Sequence, residues 1–142
     1  MAHLLAAKFS VRFVALGRWR SSLGSVCGPG SSIPYAEDEG AEREAARLGR
    51  AVVRATARLP GDTKCLPQAV ALQWMLRRRG IGARLVIAVA LSEHAVHNDG
   101  HHAWVERNGQ MLVGHCKRSA YRPLMVLESG DAERLHPFDH TD

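Results

Sequence analysis

Hydrophobic positions recur at helical spacing in three stretches of the chain. Near the N-terminus Leu5, Phe9, Phe13 and Leu16 are interleaved with Lys8, Arg12, Arg18 and Arg20, which predicts a basic amphipathic helix. Between Ala41 and Arg58 the residues Ala45, Leu48, Val52, Thr56 and Leu59 fall on one face of an Ala-, Glu- and Arg-rich segment, predicting a second. Leu59-Pro60-Gly61-Asp62 breaks it. From about Leu66 to Arg79 the pattern changes. Leu66, Ala69, Val70, Leu72, Trp74, Met75 and Leu76 cover nearly the whole circumference, and only Gln68 and Gln73 are polar before the arginines. A helix apolar on all sides belongs in the middle of a domain. Pro67 suits its first turn, Arg77 to Arg79 suit the negative end of its dipole, and Gly80 ends it.

The remaining apolar runs read as strands. Ala83 to Leu91 is almost continuously apolar and too short to favour a helix, so it predicts a buried strand. His102 to Glu106 and Gln110 to Val113 flank Asn108-Gly109, a hairpin signal. Tyr121 to Leu127 offers one more strand. Residues 24–34 are rich in Gly, Ser and Pro and predict a linker or loop, and the stretch from Glu128 onward is polar. The expected organisation is a basic helix and linker over 1–40, a core over 41–128 and a polar tail over 129–142. The fold class is α+β, with an antiparallel sheet packed on a central helix.

Composition narrows the function. Of 142 residues, 46% are hydrophobic and 23% charged, which excludes a wholly disordered chain. No run reaches the roughly 18 uncharged apolar residues of a membrane-spanning helix. The net charge of +5 invites nucleic acid, but no basic motif interleaved with aromatics supports that partner. Residues 1–36 hold no acidic side chain, so the first helix could be a presequence, pack on the domain or touch a membrane surface; packing is the reading preferred here. Three cysteines, Cys27, Cys65 and Cys116, make a poor disulfide framework and suit a reducing compartment, so a cytoplasmic location is expected.

One of these thiols stands where chemistry is favoured. Cys65 is at or just before the start of the apolar helix, where free N–H groups and the positive dipole end converge. Both favour thiolate, and Lys64 adds a positive charge. The same N–H groups suit the oxygen of a tetrahedral intermediate. A nucleophilic thiolate needs a base, and His102, at the start of a strand, is the best placed candidate. Trp104 and Glu106 share its face, and Ala103 and Val105 point the other way. The bland alternatives are a small buried hydrophobe for Cys65 and a capped strand-end imidazole for His102.

Cys65-Leu66-Pro67-Gln68-Ala69 through Leu76-Arg77-Arg78-Arg79-Gly80, then Leu85-Val86-Ile87-Ala88-Val89, then His102-Ala103-Trp104-Val105-Glu106 and Gly109 together resemble the B2 proteins of lasso-peptide biosynthesis. These belong to the transglutaminase-like branch of the papain-type cysteine-protease superfamily, and the resemblance covers roughly residues 41–127. It implies a transglutaminase-like core and a leader peptidase, with Cys65 as nucleophile and His102 as general base and acid. It implies as partners a precursor peptide, a separate leader-recognition protein and an ATP-dependent cyclase. No cofactor or metal is expected. The family's third catalytic position, usually Asp, is Gly114 here. A three-residue Arg107-Asn108-Gly109 loop would place residue 114 across from His102, and a two-residue Asn108-Gly109 turn would place His115 there. His115, Glu106, Asp99, a backbone carbonyl or water are the alternatives for orienting the imidazole.

Other readings compete. A catalytically impaired domain of this fold could hold a peptide without cutting it, and Gly114 favours that version. His94, His97, His101, His102, His115 and Cys116 are metal-ligand types, although no Cys-x-x-Cys or His-Glu-x-x-His pattern is present. Amide transfer to an amine would use the same Cys–His chemistry.

Overall fold

A computed structural model describes residues 20–28, 30, 34–60, 65–91 and 100–130. The expected N-terminal helix, Lys64, residues 92–99 and the polar tail from residue 131 lie outside the described residues, while Ser129, expected in that tail, ends the last strand. A 3₁₀ turn, Arg20–Leu23, leads into β1 (Ser25–Cys27). Helix α1 spans Glu39–Thr56 and helix α2 spans Cys65–Arg78. Then come β2 (Ala83–Ala90), β3 (His101–Arg107), β4 (Gln110–Val113), a second 3₁₀ turn (Arg118–Ala120) and β5 (Tyr121–Ser129). The five strands form one sheet in the order β1-β5-β2-β3-β4, and every neighbouring pair is antiparallel. The α+β expectation of a sheet on a central helix therefore describes the architecture.

The apolar pattern fixes which surfaces meet. On α1, Ala45, Leu48 and Val52 are buried as the periodicity predicts, and Asp38 caps the helix by accepting from the N–H groups of Gly40 and Ala41. On α2, Ala69, Val70, Ala71, Leu72 and Leu76 are buried against Leu85, Val105, Val113 and Leu127 of the sheet. Strand β2 reads as a continuous apolar run because both its faces are covered. Leu85 faces the helices, and Val86 and Ala88 join Trp104 and Val126 in a smaller cluster on the second face.

One feature departs from the sequence reading. Residues 25–27, expected within a linker, form an edge strand paired with β5 as Ser25↔Glu128, Val26↔Leu127 and Cys27↔Val126. Edge pairing is made by backbone groups, so three residues among Gly, Ser and Pro can join a ladder without an apolar pattern. The neighbouring Leu23 is fully buried and ties this segment to the core. Pro123 lies inside β5, where the register against β2 slips between Ile87 and Ala88. An irregular pairing is where a strand tolerates a residue that lacks an N–H.

The buried polar residue of α2 also finds its reason here. Gln73 is fully buried, and its Nε2 lies 3.2 Å from the Leu23 carbonyl, 3.1 Å from those of Ala83 and Leu127, and 3.1 Å from Ser129 Oγ. It fastens the first 3₁₀ turn, β2 and β5 to the central helix. Arg107, 1% exposed, does comparable work at the far end of β3. It donates to Glu42 Oε1 at 2.9 Å, to the Gly82 carbonyl at 2.6 Å and to the Ala36 carbonyl at 3.1 Å, with its guanidinium 5.0 Å from the Tyr35 ring centre.

Candidate active site

Cys65 is the first residue of α2 and is partly buried at the margin of the helix-side core. The placement follows from sequence: Pro67 in the first turn needs no hydrogen-bond partner for its nitrogen, and the apolar run behind it drives the helix onto β2 and β3. The first N–H groups of the helix thus surround the Cys65 position. Among the described residues all three cysteines are free thiols.

His102 is the second residue of β3 and only 5% exposed. Strand alternation turns Ala103 and Val105 toward the helices and leaves His102 with Trp104 and Glu106 on the other face, as expected. The His102 ring stacks on Tyr121, with centres 5.1 Å apart and planes 29° apart, and lies 6.1 Å from the Trp104 ring. Its Nε2 is 2.8 Å from the Gly114 carbonyl oxygen. A carbonyl only accepts, so Nε2 carries the hydrogen, and in the neutral ring the lone pair sits on Nδ1.

Among the described residues, that contact brings main chain rather than His115 or Glu106 to the imidazole. The Asn108-Gly109 turn has two residues, both left-handed with φ of 46° and 82°. Arg107↔Gln110 and Glu106↔Met111 pair across it, and a bulge then pairs Val105 with Val113. The extra residue slides the register, and β4 ends at Val113, so neither residue 114 nor residue 115 becomes the ladder partner of His102. Among the described residues a main-chain carbonyl meets the ring instead. His115 is exposed. Glu106 is occupied elsewhere, its Oε2 accepting from Trp104 Nε1 at 2.9 Å and from Arg118 Nε and Nη2 at 3.1 and 2.9 Å. Asp99 lies outside the described residues.

Gly114 is held to glycine by its surroundings. Its φ is 74°, and a Cβ there would stand 2.3 Å from the Ala103 carbonyl oxygen and 3.0 Å from Trp104 Cα. A carboxylate cannot be introduced at this position without moving β3 or the segment that follows β4.

Cys116 packs with Tyr121 against the Val86, Ala88, Trp104 and Val126 cluster, on the His102 face. Its thiol is pushed up by burial, pulled down by Arg118, and raised again by the nearby Cys65 and Glu106. The sequence reading singled out Cys65 and His102 and allowed a backbone carbonyl beside the imidazole without saying which, but it did not name Tyr121. A tyrosine at a strand start and a main-chain oxygen carry no pattern that a linear reading detects.

Among the described residues no group of three or more His, Cys, Asp or Glu side chains could hold a metal ion. Nor is any helix among them long and apolar enough to cross a membrane. In comparisons with known proteins, the family profile described as the transglutaminase-like superfamily matches residues 4–126. No curated protein and no solved structure matches the chain.

Proposed function

The chain belongs to the transglutaminase-like superfamily, which includes cysteine peptidases, and from that footing we propose that it is a Cys–His peptidase cutting a ribosomally made lasso-peptide precursor between leader and core. The observation that carries the reading is the His102 contact: Nε2 is engaged by the Gly114 carbonyl, so in the neutral ring Nδ1 holds the lone pair that a general base needs, while the Cys65 helix packs on the other face of the same strand. The specific precursor is supported by the Cys65-led helix and the His102-Ala103-Trp104-Val105-Glu106 strand, in that order.

The chemistry follows in balanced steps. Imidazole accepts the Cys65 proton, giving thiolate and imidazolium. The thiolate attacks the scissile carbonyl, and N–H groups at the start of α2 stabilise the tetrahedral oxyanion. The carbon–nitrogen bond breaks as the imidazolium gives its proton to the departing amine, which is the new N-terminus of the core peptide. The leader remains as a thioester on Cys65. Water, deprotonated by His102, hydrolyses it and returns the thiol. A carbonyl in place of a carboxylate holds the ring but adds no negative charge beside the imidazolium, so catalysis is slower than with an aspartate. The expected partners are the precursor, a separate leader-recognition protein and an ATP-dependent cyclase that consumes the freed amine; a cytoplasmic location goes with them.

The test mixes the protein with a candidate precursor and its leader-recognition protein and reads masses. Two fragments are expected. Cys65→Ala and His102→Ala should each lower the rate by about 10³-fold or more. An intact precursor with wild-type protein contradicts the reading. Glycine at position 114 favours a second reading, a peptide-binding domain of the same fold that does not cut; it predicts peptide binding by both wild type and Cys65→Ala, with no fragments from either.

A further inference from the structure

Among the described residues, the segment from Gly114 to Tyr121 makes two contacts with the His102 ring. At its start the Gly114 carbonyl accepts from Nε2, and at its end Tyr121 stacks on the imidazole. Between them Cys116 packs into the same cluster. The far end of this segment is fixed by backbone, since Tyr121 opens β5 opposite Ala90 and the Leu91 N–H donates to the Ala120 carbonyl at 2.9 Å; residues 114–117 lie outside any helix or strand and are tied down from elsewhere.

One side chain does this. Arg118 donates through Nε and Nη2 to Glu106 Oε2, at 3.1 and 2.9 Å, and through Nη2 to the Gly109 carbonyl at 2.8 Å. The same Glu106 oxygen accepts from Trp104 Nε1 at 2.9 Å. The middle of the segment is thus tied to β3, to the hairpin turn and to the indole beside His102. The pair is half exposed, with Arg118 47% and Glu106 18% accessible. A pair of that exposure adds little to global stability, so its effect is on local geometry.

We propose that Arg118 is a positioning residue: by gripping Glu106 and the Gly109 carbonyl it pins the 114–118 stretch, so that the Gly114 carbonyl, beside a Tyr121 ring that β5 holds in place, keeps His102 in one tautomer and one orientation. This rests on the reading of His102 as general base for its catalytic consequence, but not for the pin itself. The carboxylate that the sequence offers for orienting His102 directly acts at one remove, through a guanidinium and a strap of main chain. Lysine at 118 can reach one acceptor but cannot span both with a planar fork.

The experiment compares full-length wild type, Arg118→Ala, Arg118→Lys and a control, Arg47→Ala, which removes the exposed Arg47–Glu44 pair on α1. Long-range proton–nitrogen spectra of ¹⁵N-histidine-labelled protein report the tautomer, with His102 assigned by loss of its signals in His102→Gln. Wild type and Arg47→Ala should show one protonated Nε2 and one bare Nδ1. Arg118→Ala should show averaged nitrogens, with Tm lowered by no more than about 3 °C. Its kcat on a cleaved peptide should fall about tenfold with KM little changed, and Arg118→Lys should lie between. A wild-type tautomer signature in Arg118→Ala overturns the proposal, as does a loss of that signature only alongside unfolding. If wild type cuts no peptide, averaged nitrogens in Arg118→Ala still uphold the pin while the peptidase reading falls.

Discussion

Residue 114 shows how a single position can redirect a site. Where the resembled family carries a carboxylate, this chain has a left-handed glycine packed on the Ala103 carbonyl, and the main chain takes over contact with His102. The sequence made the absence of the carboxylate plain. It could not reveal the replacement, because a carbonyl is present at every residue and only the bulge in the β3–β4 hairpin aims this one. Two outcomes follow. Gly114→Ala should destabilise the fold by about 1–3 kcal/mol in thermal or urea unfolding and lower peptide cleavage at least tenfold, since the new Cβ must displace main chain. Gly114→Asp, which restores the family residue, should lower activity as well, for the same steric reason. An active, stable Gly114→Asp would mean that the segment moves more freely than the 2.3 Å clearance allows.

Helix α2 and the strands around it were the most legible elements. A 14-residue helix that is apolar almost all round has few places to go except against a sheet. Gln73 stood out as the exception within it, but no linear pattern states which carbonyls a buried amide will meet. Replacing it by leucine removes a donor shared among the Leu23, Ala83 and Leu127 carbonyls, and calorimetry should show a loss of about 2 kcal/mol. Arg107→Met should cost about 3 kcal/mol, because Glu42 and two carbonyls lose their buried partner. Both variants should keep the His102 tautomer, since neither side chain contacts the 114–121 segment. Strand β1 was the element least accessible to sequence reasoning. Three residues at a sheet edge, flanked by glycines, give too short a pattern to separate from a turn, and their pairing is decided by the open edge of β5.

At the scale of the molecule the two faces of the sheet divide the work. Helices α1 and α2 cover one face and build the larger core, while the other face carries the His102, Trp104 and Tyr121 rings. Cys65 packs at the margin of the helix-side core, and Cys116 packs on the ring side. The order of elements and the antiparallel sheet were readable from residue pattern. The relation of thiol to imidazole was not, because that depends on packing across a sheet rather than on spacing along a chain. The central claim is that His102 draws a proton from Cys65. The rate of Cys65 alkylation by iodoacetamide between pH 5 and 8, read by mass in wild type and His102→Ala, tests it without a peptide substrate. Cys27 and Cys116 provide internal references, since burial pushes both thiols up and leaves less thiolate at neutral pH. Cys65 should react first, already near pH 6, and His102→Ala should slow it toward the reference thiols. Equal Cys65 rates in the two proteins would contradict the account.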